Sequence, residues 1–185
     1  MSSFTRQAIM DSFLRLLEKK PFAKLTVRDI VEECGVNRTT FYYYYQDIYA
    51  IVEDLVASSL AAYAAVLDGN PHLPDLRDAR DFAMIHRKAL SSLYFSLGHE
   101  RARKYIFAVM DAPLHRFIQR HSAGLSLTEG RCKTVFLLVR EALLSALSLF
   151  LNGELPVEDG GNFLSLTHGM VRLMLENAAR SSQNP

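Results

Sequence analysis

Apolar residues recur at helical spacing along most of the chain, which predicts a structure built from helices. The first helix should cover about residues 5–20 and end before Pro21, because proline lacks a backbone donor and restricts the residue before it. The apolar residues of this segment share one face of the helix: Ile9, Phe13, Leu16 and Leu17. That face predicts packing against the elements that follow.

Two short helices come next, and each begins at a residue that favours helix N-termini. Thr26 precedes the second helix and has Asp29 three residues later, which is the spacing of a capping box. Gly35 ends that helix at a position that tolerates a left-handed backbone. Asn37 then caps a third helix. Residues 26–45 are therefore predicted to form a helix, a tight turn and a second helix.

A longer fourth helix should begin after Asp47 and run to about Leu67, before the Asp-Gly-Asn-Pro break at 68–71. Ser126 and Glu129 have the spacing of a capping box for a later helix. Beyond the break, helices are predicted at about 76–97, 100–111, 113–122, 127–151 and 160–180. No segment shows the alternation of a strand, so the predicted fold class is all-α.

Charge does little to indicate a nucleic-acid partner. The formal net charge is +1, with 49% hydrophobic and 22% charged residues. Residues 1–47 contain seven basic and six acidic side chains, and the chain has no basic tail. A case for DNA binding must therefore come from particular positions, since overall charge is weak evidence against it.

Several classes of function are excluded by what the sequence lacks. The two cysteines are far apart, and the histidines show no ligand spacing, so we expect no metal site and no disulfide. No nucleophile–base motif or glycine-rich phosphate loop is present, so neither an enzyme nor a cofactor is expected. The most apolar stretch, 134–151, is interrupted by charges and shorter than the roughly 20 residues of a membrane span. With no signal-peptide core at the N-terminus, this predicts a cytoplasmic protein without a membrane partner.

The helix pair in residues 26–45, behind a longer first helix, matches the helix-turn-helix arrangement. In that arrangement the second helix lies in the major groove of DNA, with its N-terminal residues toward the base edges. Arg38 suits a bidentate contact to guanine, and Thr39 and Thr40 suit base edges, a thymine methyl or phosphate. The alternative is a plain helical pair, since many all-α proteins contain one and bind nothing with it.

Consecutive tyrosines in the third helix favour the DNA-binding interpretation. Four tyrosines in a row surround a helix, so they cannot all face one core. Phe41 and Tyr45, at i and i+4, are predicted to pack inward. Tyr42, Tyr43 and Tyr44 are then left wholly or partly outward, where clustered aromatic hydroxyls indicate a contact surface.

The residues from Thr26 (Thr-Val-Arg-Asp-Ile-Val) and from Cys34 (Cys-Gly-Val-Asn-Arg-Thr-Thr-Phe-Tyr-Tyr-Tyr-Tyr) resemble the signature of the TetR family of bacterial transcription regulators. The resemblance covers about residues 5–60. It implies a DNA-binding helix-turn-helix domain at 1–47, joined by the long fourth helix to a ligand-binding and dimerisation domain at 48–185. It also implies a DNA-facing set, which comprises Arg28, Arg38, Thr39, Thr40, Tyr42, Tyr43 and Tyr44.

The chain departs from the family pattern in two places. Tyr44 and Tyr45 stand where the family usually has histidine and phenylalanine, and Ile48 stands where it usually has a phosphate-contacting lysine. The run from Phe41 to Tyr49 also resembles a subgroup related to a dihydroxyacetone-kinase co-activator. Members of such a subgroup need not act as simple ligand-released repressors.

The C-terminal helices predict a homodimer. Apolar residues surround most of the helix at 127–151, and the helix at 160–180 is similarly apolar, so both need burial on more than one side. A second copy would cover the remaining side, with Leu144 and Leu147 as outward positions; the alternative is a central core helix within a monomer. A twofold dimer also suits a palindromic operator in double-stranded DNA.

The sequence predicts a dimeric DNA-binding repressor whose operator affinity is set by an unknown small-molecule effector. Residues that would line a ligand cavity are His86, Tyr94, Phe95, Tyr105, Phe107, Met110, His115 and Phe117. The same residues would equally suit a filled core. The alternative function is a co-regulator of the same fold that acts through protein partners and binds DNA weakly or not at all.

Overall fold

The helix pattern of the sequence is realised in a computed structural model that describes residues 2–69, 76–155 and 160–180. Within these ranges the chain forms nine α-helices, one short 3-10 helix (η1) and no strand, which confirms the predicted all-α class. The elements are α1 (Ser2–Lys19), η1 (Phe22–Lys24), α2 (Val27–Cys34), α3 (Arg38–Tyr44), α4 (Ile48–Leu67), α5 (Leu76–Ile85), α6 (Arg87–Leu97), α7 (His99–Ser122), α8 (Glu129–Asn152) and α9 (Gly160–Arg180).

The predicted caps of the N-terminal helices are confirmed. The Thr26 hydroxyl accepts from the backbone N of Asp29, and the Asp29 carboxylate accepts from the backbone N of Thr26 at 2.8 Å. Gly35 has φ of 74°, which ends α2 in the left-handed conformation that glycine adopts without strain. The Asn37 side chain accepts from the backbone N of Thr40 at 2.7 Å and starts α3. The capping residues therefore determine where α2 ends and α3 begins.

Two of the predicted helix boundaries are wrong. The segment predicted as one helix at 76–97 is broken at His86, which caps α6 while its ring packs on Phe82 at 4.6 Å. The helices predicted at 100–111 and 113–122 form the single α7, with Pro113 inside it. Burial of the neighbouring Leu114 and Phe117 compensates for the backbone hydrogen bond that proline cannot donate.

The predicted start of α8 is also wrong. The helix begins at Glu129, and its N-cap is Thr128, whose side chain accepts from the backbone N of Arg131. Ser126 lies two residues earlier and does not cap it. Because both hydroxyl residues suit an N-cap, the residue types alone do not choose between them.

By packing, the chain divides into two compact units. The first comprises Met1–Ser59 and Asp81–Ile106, and the second comprises Leu60–Arg80 and Phe107–Pro185. In the first unit α6 packs against α1 and η1. This unit therefore extends beyond residue 47. The functional boundary between 1–47 and 48–185 stays a prediction, because compact packing does not define which residues bind DNA.

The first unit has a continuous apolar core that includes one face each of α1, α2 and α3. Phe13, Ile30, Phe41 and Ile51 are all fully buried in it. These residues come from four successive helices, so burial of a single cluster fixes α2 and α3 against α1 and α4. At about 25 cal/mol per Å² of buried apolar area, such side chains dominate the stability of this unit.

The second unit is centred on α7, α8 and α9. Its fully buried residues include Leu114, Val139, Val171 and Leu175. Leu144 is 3% exposed, so the prediction that it points outward from α8 is wrong. It faces the monomer core, because the apolar positions of α8 surround the helix and the pattern does not distinguish the inner side from the outer.

Two helices, α4 and α8, are long and apolar enough to cross a membrane by length and composition alone, with mean hydropathy 1.6 and 1.9. The apolar stretch 134–151 lies within α8, which has 24 residues and is thus longer than the stretch itself. Core helices of proteins that never meet a membrane have the same composition, so this property does not identify a span. The absence of a membrane partner stays a prediction.

Candidate nucleic-acid interface

One face of α3 is polar and exposed while the opposite face is buried. Phe41 is fully buried and Tyr45 is 4% exposed, whereas Tyr42 is 55% and Tyr43 78% exposed. Tyr44 is half-buried, and its ring meets that of Tyr43 edge to face at 5.0 Å. The predicted inward and outward positions of the aromatic residues are thus confirmed. The apolar side of α3 is therefore buried in the core, and the rings of Tyr42 and Tyr43 point outward with their hydroxyls.

The first turn of α3 adds polar side chains to the same exposed face. Arg38 and Thr39 are exposed, and Thr40 is half-buried. Because residues four apart share a helix face, Arg38 aligns with Tyr42 and Thr39 with Tyr43. In the part of the chain that the structure describes, Arg38 has no ion-pair partner. Its guanidinium is therefore available to an acceptor outside the chain.

Arg28, also predicted to face DNA, lies on α2 rather than α3. Its Nε is 2.7 Å from an oxygen of Glu32 one turn later. The hydrogen bond to Glu32 raises the pKa of Arg28, which remains charged. Because the carboxylate neutralises much of that charge locally, Arg28 is a poorer phosphate ligand than Arg38. The structure therefore places six of the predicted residues on α3 and the seventh on the neighbouring helix.

Most of the positive charge of residues 1–47 is paired with carboxylates. Five of the seven basic side chains make ion pairs: Arg6 with Asp54, Arg15 and Lys19 with Glu33, Lys20 with Asp29, and Arg28 with Glu32. Within the described ranges, the two that lack such a partner are Lys24 and Arg38. The interface thus presents few uncompensated cations.

A polar contact fixes the C-terminal end of α3. The Tyr45 hydroxyl donates to Asp54 of α4 at 2.5 Å, and Arg6 of α1 also binds Asp54. Burial and the Asp54 carboxylate both raise the pKa of Tyr45, so its hydroxyl stays a donor at neutral pH. This contact joins three helices and was missed in the sequence. A buried tyrosine signals that its hydroxyl needs a partner, but nothing in the pattern identifies Asp54.

The residues predicted to line a ligand cavity fall into both compact units. His86, Tyr94 and Tyr105 belong to the first unit, with Tyr105 packed against its core. Phe95 also belongs to the first unit, and the remaining four predicted residues belong to the second: Phe107, Met110, His115 and Phe117.

Phe117 is 2% exposed, and its ring stacks on that of His168 at 4.6 Å. Phe117 is therefore part of a filled core. The lining of a ligand site by the other predicted residues stays a prediction.

A polar cluster in the second unit was missed by sequence reasoning. The guanidinium of Arg140 on α8 lies over the ring of Phe107, with its Cζ 4.2 Å from the ring centre. Its Nη1 is 3.5 Å from Asp111, while Arg140 Nε and Asp111 Oδ1 are buried with no hydrogen-bond partner among the described residues. Buried polar atoms are normally satisfied, so these two atoms are the ones in this cluster that still need a partner. The signal in the sequence was a charged residue inside an otherwise apolar helix.

In the described residues there is no group of three or more potential metal ligands among His, Cys, Asp and Glu.

Comparison with known proteins agrees with this geometry. Residues 9–55 match the family described as "Bacterial regulatory proteins, tetR family". The chain is similar to an uncharacterised HTH-type transcriptional regulator, YxbF, of Bacillus subtilis, with 25% identity over 119 residues that cover 58% of this chain and 31% of YxbF. It is also similar to the HTH-type transcriptional regulator EthR of Mycolicibacterium smegmatis, with 39% identity over 49 residues that cover 26% of this chain and 23% of EthR.

The matched segments thus span less than a third of either relative. Among solved structures, a TetR transcriptional regulator from Streptococcus agalactiae aligns over 92% of this chain and 94% of its own. The TM-score is 0.53 and the sequence identity 18%, so this likeness concerns the fold.

Proposed function

We propose, from the premise that residues 9–55 belong to the tetR family of bacterial regulatory proteins, that this protein is a transcription regulator that binds specific sites in duplex DNA. The observation that carries the proposal is the exposed face of α3. It combines an arginine without a carboxylate partner, a threonine and two exposed tyrosines, Tyr42 and Tyr43, on a helix whose other face is buried.

In the proposed complex, the N-terminal turn of α3 enters the major groove. Arg38 reads a guanine through O6 and N7, and Thr39 and the tyrosine hydroxyls bond base edges or phosphates. The buried Phe41 and the Tyr45–Asp54 contact hold α3 at a fixed angle, so the reading side chains need little reordering on binding. Rigid support of this kind favours discrimination between sequences.

We further propose that the protein acts as a homodimer through the helices at about 127–151 and 160–180, on a palindromic operator. Exposed leucines on α8 and α9 support this proposal: Leu137, Leu138 and Leu149 on α8 and Leu173 on α9, from 39% to 59% exposed. Several apolar side chains exposed on these two helices indicate a protein contact. A regulator of this type works where the chromosome is, so a cytoplasmic location is part of the proposal.

Repression released by a small-molecule effector completes the proposal. Its support is the Arg140 cluster, where an unpartnered donor and an unpartnered acceptor are buried together beside Phe107 and Phe136. An effector with both an acceptor and a donor, such as an amide or a hydroxyl compound, would satisfy Arg140 Nε and Asp111 Oδ1. His115, predicted as a ligand residue, contacts Phe136 at 5.8 Å and so borders the cluster.

The test of the proposed function is selection from DNA. Purified protein is mixed with a pool of genomic duplex fragments, and the retained fragments are sequenced. We expect enrichment of one inverted-repeat motif. Recovery of no enriched DNA would contradict the proposed function and leave the alternative of a co-regulator that acts through protein partners.

A further inference from the structure

Arg101 in the first turn of α7 extends over the first turn of α4. Its Nη1 donates a hydrogen bond to the Tyr49 hydroxyl at 3.1 Å, and its Cζ lies 5.5 Å from the centre of the Tyr49 ring. Both residues belong to the compact unit that contains α2 and α3. Because a guanidinium carries five N–H donors, the bond to Tyr49 leaves most of them for another acceptor.

Contacts with the core of the first unit hold Tyr49, which bonds this guanidinium, in place. Its ring meets Phe22 edge to face at 5.4 Å, and the buried Phe22 meets Phe13 in the same manner at 6.1 Å. The carboxylate of Asp47 accepts from the backbone N of Tyr49 at 2.8 Å and fixes the start of α4. Arg101 is thus positioned before any ligand binds, which lowers the entropic cost of ordering a long side chain.

Arg101 forms no ion pair within the described part of the chain, although the carboxylates of Asp47 and Glu53 act on the same neighbour, Tyr105. Arg101 is exposed and has no carboxylate partner there, in contrast to five of the seven cations of residues 1–47. Lys24, also exposed and unpaired, follows Phe22 by only two residues. Two uncompensated cations are therefore associated with the Phe22–Tyr49 contact.

The first turn of α4 lies next to α3 along the chain, since only residues 45–47 separate the two helices. A duplex that receives α3 in its major groove carries a phosphate strand on each side of that groove. An exposed guanidinium fixed at the start of the adjoining helix suits the charge and hydrogen-bonding geometry of a phosphate.

We propose that Arg101, held by Tyr49, binds a backbone phosphate of duplex DNA and so extends the DNA-binding surface beyond residues 1–47. The proposal rests on the proposed function, because it requires α3 to occupy the major groove. It assigns Arg101 a positioning role that is independent of base sequence. Loss of Arg101 should therefore weaken binding to all duplexes equally.

The experiment compares Arg101→Ala with wild type in titrations of a selected operator and a scrambled duplex at several salt concentrations. We expect the slope of log affinity against log salt to become shallower by about 0.9, which is the contribution of one phosphate contact and equals about 3.5-fold across a fourfold range of salt. Operator and scrambled duplex should lose affinity by the same factor. Lys88→Ala is the charge control. Lys88 lies at the N-terminal end of α6, about 14 Å along that helix from the end that precedes α7 and Arg101. Its loss should leave the slope unchanged.

Two conservative variants separate a phosphate contact from a structural role. Arg101→Lys keeps the cation and should retain the wild-type slope, whereas Arg101→Gln keeps a long polar side chain that can bond the Tyr49 hydroxyl and should lose the slope as Arg101→Ala does. An unchanged slope in Arg101→Ala, while Arg38→Ala still weakens operator binding, would overturn this proposal and leave the proposed function standing. If wild type binds neither duplex, both proposals are wrong.

Discussion

Arg38 and Tyr42 occupy one exposed side of α3, and each has a distinct role in the proposed complex. Replacing Arg38 with alanine removes a bidentate contact to guanine. We expect Arg38→Ala to weaken operator binding by about 1–3 kcal/mol and to relax preference at one base pair. Tyr42→Ala should also weaken binding, because it removes one of the hydroxyl contacts of the proposed complex.

These substitutions should not disturb the fold, since both side chains are exposed. Thermal unfolding of each variant and titration of the selected operator are the measurements. Lys88→Ala serves again as the matched control, because it removes a cation from the same unit away from α3. Wild-type DNA affinity in both α3 variants would rule out the assignment of this face to DNA.

Asp29 makes the stability of the first unit depend on pH. Lys20 and the Thr26 hydroxyl hold its pKa at about 2, below its ordinary value of 3.8. The ionised carboxylate therefore stabilises the fold above about pH 4, and this contribution is lost as the pH falls through 2. We expect Asp29→Asn to lower the free energy of unfolding at pH 7, by an amount that shrinks between pH 4 and pH 2. A constant difference over that range would contradict the assigned role.

At this scale the sequence predicts some contacts and not others. The inward positions of Phe41 and Tyr45 follow from helical spacing alone, as does the capping box of Thr26 and Asp29. The contact between Tyr45 and Asp54 does not, because it depends on the distance between two helices rather than on a local pattern. The Arg101–Tyr49 contact was missed for the same reason, since 52 positions separate the two residues.

Helices α7 and α9 meet through stacked rings, which gives their packing a pH dependence. The rings of Phe117 and His168 are parallel within 4° at 4.6 Å. Burial, followed by repulsion from His121, lowers the pKa of His168 below 6.5. Below pH 6.5 this histidine is protonated in the unfolded chain more readily than in the folded chain. The free energy of unfolding therefore decreases as the pH drops.

The variant His168→Phe keeps the stack and removes the titration. We expect its free energy of unfolding to change less than that of wild type between pH 7 and pH 5.5, as measured by urea denaturation. His86→Phe is the control, because it removes a histidine from the first unit. An identical pH dependence in wild type and His168→Phe would show that this stack does not sense pH.

At the scale of elements, local signals locate helices better than they fix their ends. The sequence predicts α9 at 160–180, as the structure has it, yet it divides α7 at Pro113. Proline is a reliable break only where tertiary packing does not compensate, and here the residues after it are buried. The N-cap of α8 is a similar case. Thr128 and Ser126 both suit an N-cap by residue type, and the local sequence does not determine which of them caps the helix.

For the whole molecule, the exposed leucines of α8 predict a dimer. Leu138 is 54% exposed, so a charge there should not disturb the monomer fold but should oppose burial against a second copy. We expect Leu138→Glu to sediment as a monomer at micromolar concentration, where wild type sediments as a dimer, and to bind a palindromic operator poorly. Ile85→Glu, at an exposed apolar site of the first unit, should remain dimeric. A monomeric wild type would contradict the dimer.

The paired cations predict a shallow salt dependence for the whole protein. Few uncompensated charges face DNA, so few counterions are released on binding. We expect a slope well below that of strongly basic repressors, steepened by about one unit in Ile48→Lys with equal gains for operator and scrambled duplex. Titration across several salt concentrations measures it. A steep wild-type slope would show that the ion pairs of residues 1–47 open to bind phosphate.

The most direct test is the ratio of affinities for the selected operator and a scrambled duplex of equal length and composition, measured by fluorescence anisotropy at physiological salt. A regulator that reads bases through α3 should bind its operator at least about 10³-fold more tightly. The same ratio should fall in Arg38→Ala, because that variant loses a base contact. Equal affinities of wild type for the two duplexes would show that the exposed face of α3 does not read DNA sequence.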